Sequence, residues 1–285
     1  MKTINNSSSK QTVLVTGAST GIGLATALFL AKRDIKVYAG VRKESDKQKL
    51  RNEALENLIP VYLDVCNQKS IEEVKAMISQ EDDGSTFSLV NNAGLSLNGP
   101  LEILPMQDIE KLIHVNVLGL LAVTKAFIPM IRKNQGRIVN INSGHGLMAI
   151  PDKSVYAASK FAVQAITDSL RLELRPFGVS VSSVVVGKVN TSVLNKIMDD
   201  RMRMIDQAEP EILKLYSNLI EYFDREVKNI PGIEAIEVAK VISNALLDVK
   251  PRIQYLIGPG AKKMKVLARF PVKMRDRMLY KALNT

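Results

Sequence analysis

Residues 12–31 read TVLVTGASTGIGLATALFLA. A β-branched run, a turn holding Gly17, Gly21 and Gly23, and a stretch with apolar residues at helical spacing follow one another without interruption. That is the pattern of a strand feeding a helix through a tight turn. The same alternation continues along the chain. β-branched runs at 12–16, 36–40, 59–65, 87–92, 136–142 and 179–186 predict strands, and apolar spacing near 3.6 residues predicts helices at 21–33, 44–57, 68–80, 105–134 and 154–176. Repeated strand–helix–strand units join through right-handed crossovers. The expected fold class is therefore α/β: a single doubly wound domain, with a parallel sheet of about seven strands and helices on both faces.

Composition sets the limits around this pattern. Of 285 residues, 46% are hydrophobic and 24% charged, a globular balance with enough chain to bury a large core. The single cysteine, Cys66, excludes an internal disulfide, and with only two histidines no structural metal site is expected. MKTINNSSSKQ, residues 1–11, is polar and predicts a disordered lead-in. The apolar stretch from Val115 to Ile131 is broken by Asn116, Thr124, Lys125 and Pro129, so no transmembrane helix is expected. No repeat or linker divides 12–260, which reads as one domain. The net charge of +10 concentrates in a tail at 261–285, where Lys262, Lys263, Lys265, Arg269, Lys273, Arg275, Arg277 and Lys281 face Asp276 alone. Interleaved apolar residues make the tail amphipathic. It suits a solvated face, packing on the protein body, or peripheral contact with an anionic membrane. No nucleic-acid motif accompanies it, and no nucleic-acid partner is expected.

In doubly wound sheets ligands bind beyond the carboxyl ends of the strands, where strand order reverses. Gly17, Gly21 and Gly23 would let the backbone approach a pyrophosphate there, at a helix N-terminus that favours anions. The spacing is G-x-x-x-G-x-G rather than G-x-G-x-x-G. A second feature is VYAASKF at 155–161, which puts Tyr156 and Lys160 on one helical face. The pair reads either as a half-buried tyrosine beside a snorkelling lysine or as an acid/base couple, in which the ammonium favours the phenolate.

Together, Thr16-Gly17-Ala18-Ser19-Thr20-Gly21-Ile22-Gly23, Asn91-Asn92-Ala93-Gly94, Asn116 in NVLG, Ser143 and Tyr156-x-x-x-Lys160 resemble the short-chain dehydrogenase/reductase family. The resemblance runs from about Thr12 to Thr191 and more weakly to about Gly260. VYAGVR, NGPLE and SKFAVQAITDSLRLELRPFGV are most similar to the branch holding 17-beta-hydroxysteroid and retinol dehydrogenases. The resemblance implies a Rossmann-type domain and hydride transfer between a nicotinamide and a carbonyl or alcohol. Ser143 would bind the substrate oxygen and Tyr156 would exchange its proton. Lys160 would lower the tyrosine's pKa and bind the nicotinamide ribose, and Asn116 would hold a relay water. Thr16, Gly17, Ser19, Thr20, Gly21, Ile22, Gly23, Asp64, Val65, Asn91, Ala93, Gly94, Tyr156, Lys160, Val189 and Thr191 would contact the cofactor.

Val41 stands where an NAD-binding acid would be and Arg42 comes directly after it, so NADP(H) is expected, with NAD(H) possible. His145 would line the substrate pocket with Ser143 and Tyr156. A lid is expected at 190–230, whose Met, Ile, Leu, Tyr and Phe residues would line a pocket for a steroid-, retinoid- or lipid-like substrate or form the inner faces of two amphipathic helices. Two departures stand out. Val186-Gly187 lacks the usual proline, which predicts a looser nicotinamide-side loop, and Asn142 replaces a frequent serine. A cytoplasmic location is expected, and resemblance implies a homodimer or homotetramer built on the helices at 105–134 and 154–176. The alternative is a catalytically silent NADP(H)-binding sensor, which predicts damage at Ser143, Tyr156 or Lys160; all three are intact.

Overall fold

The computed structural model describes residues 11–283, with the side chains of 192–196 and 226–229 outside that description. The lead-in expected at 1–11 falls outside the described residues except for Gln11, which opens the first strand. The first half of the chain alternates β1 (Gln11–Val15), α1 (Gly21–Ala31), β2 (Lys36–Val41), α2 (Glu44–Arg51), β3 (Leu58–Tyr62), α3 (Gln68–Gln80) and β4 (Thr86–Asn91). After α4 (Met106–Ile113) and α5 (Leu120–Lys133), β5 (Arg137–Ser143), α6 (Ser154–Leu174) and β6 (Ser180–Val186) complete the second half. The seven-stranded parallel sheet has the order β3-β2-β1-β4-β5-β6-β9, where β9 is Gln254–Ile257. The order reverses between β1 and β4, so their carboxyl ends border the crevice.

Alternation within the strands explains the two cores. Val13 and Val15 of β1 face α1 and α10 (Ala235–Leu247), with Ala27, Leu30, Val238 and Ile242 packed on them. Leu14 points the other way, to Val74, Val123, Phe127 and Ile131 of α3 and α5. A buried polar ladder crosses this second face: Asn91 Nδ2 donates to Thr124 Oγ1 and Asn140 Oδ1, each at 2.8 Å, and Asn140 Nδ2 donates to Thr167 Oγ1 at 2.9 Å. These bonds satisfy groups that would be costly to bury alone. They also dock α5 and α6 at one register on the sheet.

Several element bounds differ from the sequence pattern. Strand β3 stops at Tyr62 rather than 65, because Asp64 turns the chain by accepting from the Cys66 N–H at 3.0 Å. Helix α2 ends at Arg51 rather than 57, where Ala54 takes the left-handed conformation with φ 53°. The helix expected at 105–134 is α4 and α5 joined by a π-helical segment, His114–Gly119. Gly119 is required there, since a Cβ would come within 2.7 Å of Val65 Cγ2. By length and apolarity the run Met106–Lys133 could cross a membrane, but Val123, Phe127 and Ile131 are buried against the sheet. Strand β9 escaped the sequence reading because it is only four residues long.

Between β6 and α10 lie β7 (Val189–Asn190), α7 (Ser192–Gln207), α8 (Pro210–Leu215), α9 (Ser217–Asn229) and β8 (Ile233–Glu234), with β7 and β8 paired. The 190–230 segment thus holds three helices, not two. Its apolar residues divide: Met204 and Phe223 are buried, whereas Met202 and Leu215 are exposed. The tail forms α11 (Ala261–Leu267) and α12 (Val272–Leu283). Ala261 is fully buried and Met264 lies against Gly144, so α11 packs on the body. Gly136 opens β5 where a Cβ would collide with the Phe87 carbonyl oxygen. Gly136→Ala should lower unfolding stability by about 2 kcal/mol or more, read as a lower urea midpoint.

Candidate active site

The crevice begins with a clamp between two loops. Thr16 Oγ1 accepts from the Asn92 and Ala93 N–H groups, both at 3.0 Å, and donates to the Val90 carbonyl. Asn92 Nδ2 donates to the Thr16 and Gly17 carbonyls at 2.9 and 3.1 Å. Gly17 has φ +65° and lies so close to the other loop that a Cβ would sit 2.9 Å from Ala93 Cα; a Cβ on Gly23 would strike the Gly17 carbonyl. Ser19, Thr20, Gly21 and Ile22 complete the turn. Thr20 is the N-cap of α1 but makes no side-chain cap, and α1 has no acid in its first turn. The first amides of α1 therefore remain open to an anion.

Around this turn, Arg42 comes after β2 and is exposed. Its charge reaches Cys66, whose thiol is pushed up chiefly by burial and then by Asp64, with Arg42 opposing. Arg42 thus lies near the turn that holds Asp64 and Val65. Asn91 and Asn92 divide their work: the Asn91 amide is spent inside the polar ladder, leaving only its main chain for the crevice, while Asn92 pins the glycine turn. Gly94 leaves room beside Asn116 Oδ1 and Lys160 Nζ, which a Cβ would approach to 3.4 and 3.8 Å.

The other wall comes from β5 and α6. Ser143 ends β5, its N–H held by Asn142 Oδ1 at 2.8 Å, and Asn142 Nδ2 donates to Gln164 Oε1 at 3.0 Å. Asparagine at 142 thus ties the serine to α6. A short turn, Gly144–Gly146, then carries His145, whose N–H donates to Ser143 Oγ at 3.3 Å. On α6, Lys160 is 8% exposed and donates to the Ile141 carbonyl at 3.0 Å, with Nζ 5.9 Å from the Tyr156 ring centroid. Burial lowers Lys160 to about 8. Burial also raises the Tyr156 phenol, opposed by a hydrogen bond with Ser143. The expected lowering of Tyr156 by Lys160 is absent from this structure, because desolvation dominates and the ammonium is turned to the Ile141 carbonyl.

Asn116 lies in the π segment, and both ends of its side chain are occupied. Oδ1 accepts from Leu95 N–H at 2.7 Å, and Nδ2 donates to the Leu95 carbonyl and Ser159 Oγ at 2.9 and 3.0 Å. Both amide hydrogens are thus spent, and a relay water could meet only the second lone pair of Oδ1 or the main chain. Val189 lies on β7, buried in the first core, and Thr191 is the N-cap of α7. The loop before them is tight rather than loose: Gly187 N–H donates to the Ile257 carbonyl at 2.8 Å, and Lys188 Nζ to the Ile230 carbonyl at 2.5 Å. The sequence reading gave Asn92 no role of its own beyond its motif, and passed over Ser159 and a buried ion pair, Asp152–Arg201. Their signal is a contact between distant segments.

A family model described as short chain dehydrogenase matches residues 11–202. The chain belongs to the short-chain dehydrogenase family. It is an oxidoreductase of CH–OH/C=O groups that uses a nicotinamide cofactor. The 3-amino-tetrahydro-pyrrolizinone reductase of Xenorhabdus hominickii is 35% identical, over 90% of this chain and 92% of the relative. The Bos taurus short-chain dehydrogenase/reductase family 9C member 7 is 34% identical, over 95% and 89%. A solved serine dehydrogenase in its closed form with NADP+ superposes with a TM-score of 0.73 at 28% identity, covering 87% of this chain and 95% of that one.

His145 offers a test of this geometry. Burial, helped by the charge of Lys153, lowers it from 6.5 to about 3. Above pH 6.5 the ring is neutral folded and unfolded; as pH falls towards 3 only the unfolded chain gains the proton, so stability is lost through that window. Between pH 6.5 and 4, the urea midpoint of the wild type should fall more steeply than that of His145→Asn.

Proposed function

We propose that the protein catalyses NADP(H)-linked interconversion of a carbonyl and an alcohol on a substrate with an apolar body. The observation that carries the reading is the convergence of Ser143, Tyr156 and Lys160 at the carboxyl end of β5, across the crevice from the glycine turn. That turn fits a dinucleotide: Gly17 and Gly23 have no space for side chains, and the first turn of α1 carries neither a side-chain cap nor an acid to compete with an anion. NADP(H) preference rests on Val41, which supplies no acid for a ribose hydroxyl, and on Arg42, which forms no ion pair among the described residues. When bound, the nicotinamide supplies or accepts the hydride.

The side chains handle the proton. Ser143 donates to the substrate oxygen and holds it against the Tyr156 phenol. Because burial raises Tyr156, the phenol is protonated near neutral pH, the form that gives a proton to a carbonyl oxygen during reduction. Oxidation of the alcohol needs the phenolate and gains with rising pH. Lys160 brings a cation to the same wall and binds the cofactor ribose. Leu97, Leu112, Val155 and Met204 pack beside Tyr156 and form an apolar, water-excluding surface for the substrate body. Leu118, Leu121, Phe161 and Leu172 are exposed on the π segment, α5 and α6, and support pairing of these helices between subunits.

Titration with NADPH and NADH, followed by a screen of hydrophobic ketones and aldehydes, tests the reading. Turnover with NADPH should fall at least a hundredfold in Tyr156→Phe while NADPH affinity changes little. Binding without turnover, unaltered by the substitution, would favour the silent sensor. Arg42→Ala should weaken NADPH about tenfold and leave NADH within about twofold, the loss of one charge-assisted contact.

A further inference from the structure

The two tail helices carry charge that the reaction does not use, and α12 sets it out in a regular pattern. Arg275, Leu279, Ala282 and Leu283 are its half-buried residues, on the side where the helix rests against α9. Lys273, Arg277 and Lys281 recur at every fourth position and run along the opposite, exposed side. At 100° per residue, Met274 and Met278 flank this cationic stripe on one side and Tyr280 on the other. All three are exposed, at 46%, 49% and 71%. Arg269, Phe270 and Val272, at the approach to α12, are exposed as well, as are Lys262 and Lys263 on α11.

Charge and apolarity together decide what such a face can meet. Lys262, Lys263, Arg269, Lys273 and Arg277 form no ion pair or hydrogen bond among the described residues. Asp276 is the only acid in 261–285, against eight cations. A second copy of the chain is a poor occupant, because two-fold pairing of this face would set cation against cation. A nucleic acid would neutralise the cations but leave the methionines, Phe270 and Val272 in water. Anionic headgroups above an acyl layer answer both halves of the pattern. Long basic side chains reach the headgroups while the methionine and aromatic side chains enter the acyl boundary.

We infer that the exposed face of α12, with the link at 268–271 before it, docks on an anionic phospholipid surface and lies in the plane of the headgroups. The contact is peripheral: twelve residues make a helix about 18 Å long, too short to span a bilayer. Because α12 rests against α9, docking brings that helix of the 190–230 segment close to the lipid.

The test uses the full chain and two kinds of vesicle, phosphatidylcholine alone and phosphatidylcholine mixed with phosphatidylglycerol. In co-sedimentation the protein should bind the mixed vesicles at least tenfold more tightly, and added salt should weaken that binding. Each cation near anionic headgroups strengthens binding about fivefold, so Lys273→Glu combined with Arg277→Glu should weaken it more than tenfold. Thermal melting, unchanged in these exposed-site variants, shows that they are folded. The chain has no tryptophan, so an introduced one reports its own surroundings. The emission of Met278→Trp should shift to the blue on mixed vesicles. Tyr62→Trp should not shift, since Tyr62 is exposed on β3, at the opposite edge of the sheet from β9, against which α11 packs. Binding no stronger to mixed vesicles than to phosphatidylcholine, no loss in the double reversal, or equal shifts at the two tryptophans would overturn the proposal. Tighter binding of duplex DNA or poly-L-glutamate than of mixed vesicles would also overturn it and assign the face to a polyanion. A double reversal that alters the oligomeric state in sedimentation velocity, with vesicle binding intact, would assign the face to a second copy instead.

Discussion

The clamp between Thr16 and Asn92 governs the rest of the molecule. The sheet order reverses between β1 and β4, which forces the chain leaving each strand to diverge and opens a crevice between them. One threonine hydroxyl and one asparagine amide bridge that divergence, taking up main-chain groups from both loops. The bridge sets how closely the glycine turn approaches the Ala93–Gly94 loop. A side chain at Gly17 or Gly23 would hold the loops apart, so the glycines are demanded by this approach as well as by a ligand.

The opposite wall is positioned by polar contacts rather than by packing alone. Asn140 binds Thr167, Asn142 binds Gln164, and Ser183 Oγ also donates to Gln164 at 3.2 Å, so β5 and β6 are keyed to α6 inside the protein. Interiors of low dielectric make unmet polar groups expensive, so a shift of α6 by one residue would be opposed at several positions together. This holds Ser143, Tyr156 and Lys160 in register. The same dry surroundings raise the phenol and lower the two lysines, Lys153 and Lys160. Position and proton affinity thus share one cause.

The surroundings of Tyr156 and His145 are completed by late segments of the chain. Helix α7 contributes Met204 and Arg201, the latter joining the turn before α6 to α9 through Asp152 and Asp224. Helix α11 brings Met264 over Gly144, against the turn that carries His145. A buried ion pair of this kind stabilises little by itself, but breaking it would strand a charge, so it favours one placement of α7. Helix α7 and the first tail helix are therefore packed against the segments that carry Tyr156 and His145.

Much of this was legible in the sequence, and the division has a physical basis. Strand and helix periodicity is local, so the doubly wound architecture, the glycine turn and the Tyr156–Lys160 face could be read from neighbouring letters. Element ends were less legible, because the left-handed Ala54 and the Asp64 turn are set by local hydrogen bonds and chain reversal, which leave no apolar period. The sequence determined which chemical groups would gather at the carboxyl edge of the sheet. Only the tertiary structure decided how each is spent: Asn91 in the ladder, Asn92 on the glycine turn, Asn116 on Leu95, and Arg201 between Asp152 and Asp224. Those outcomes depend on burial and on partners tens of residues away, and neither is encoded in the spacing of a motif.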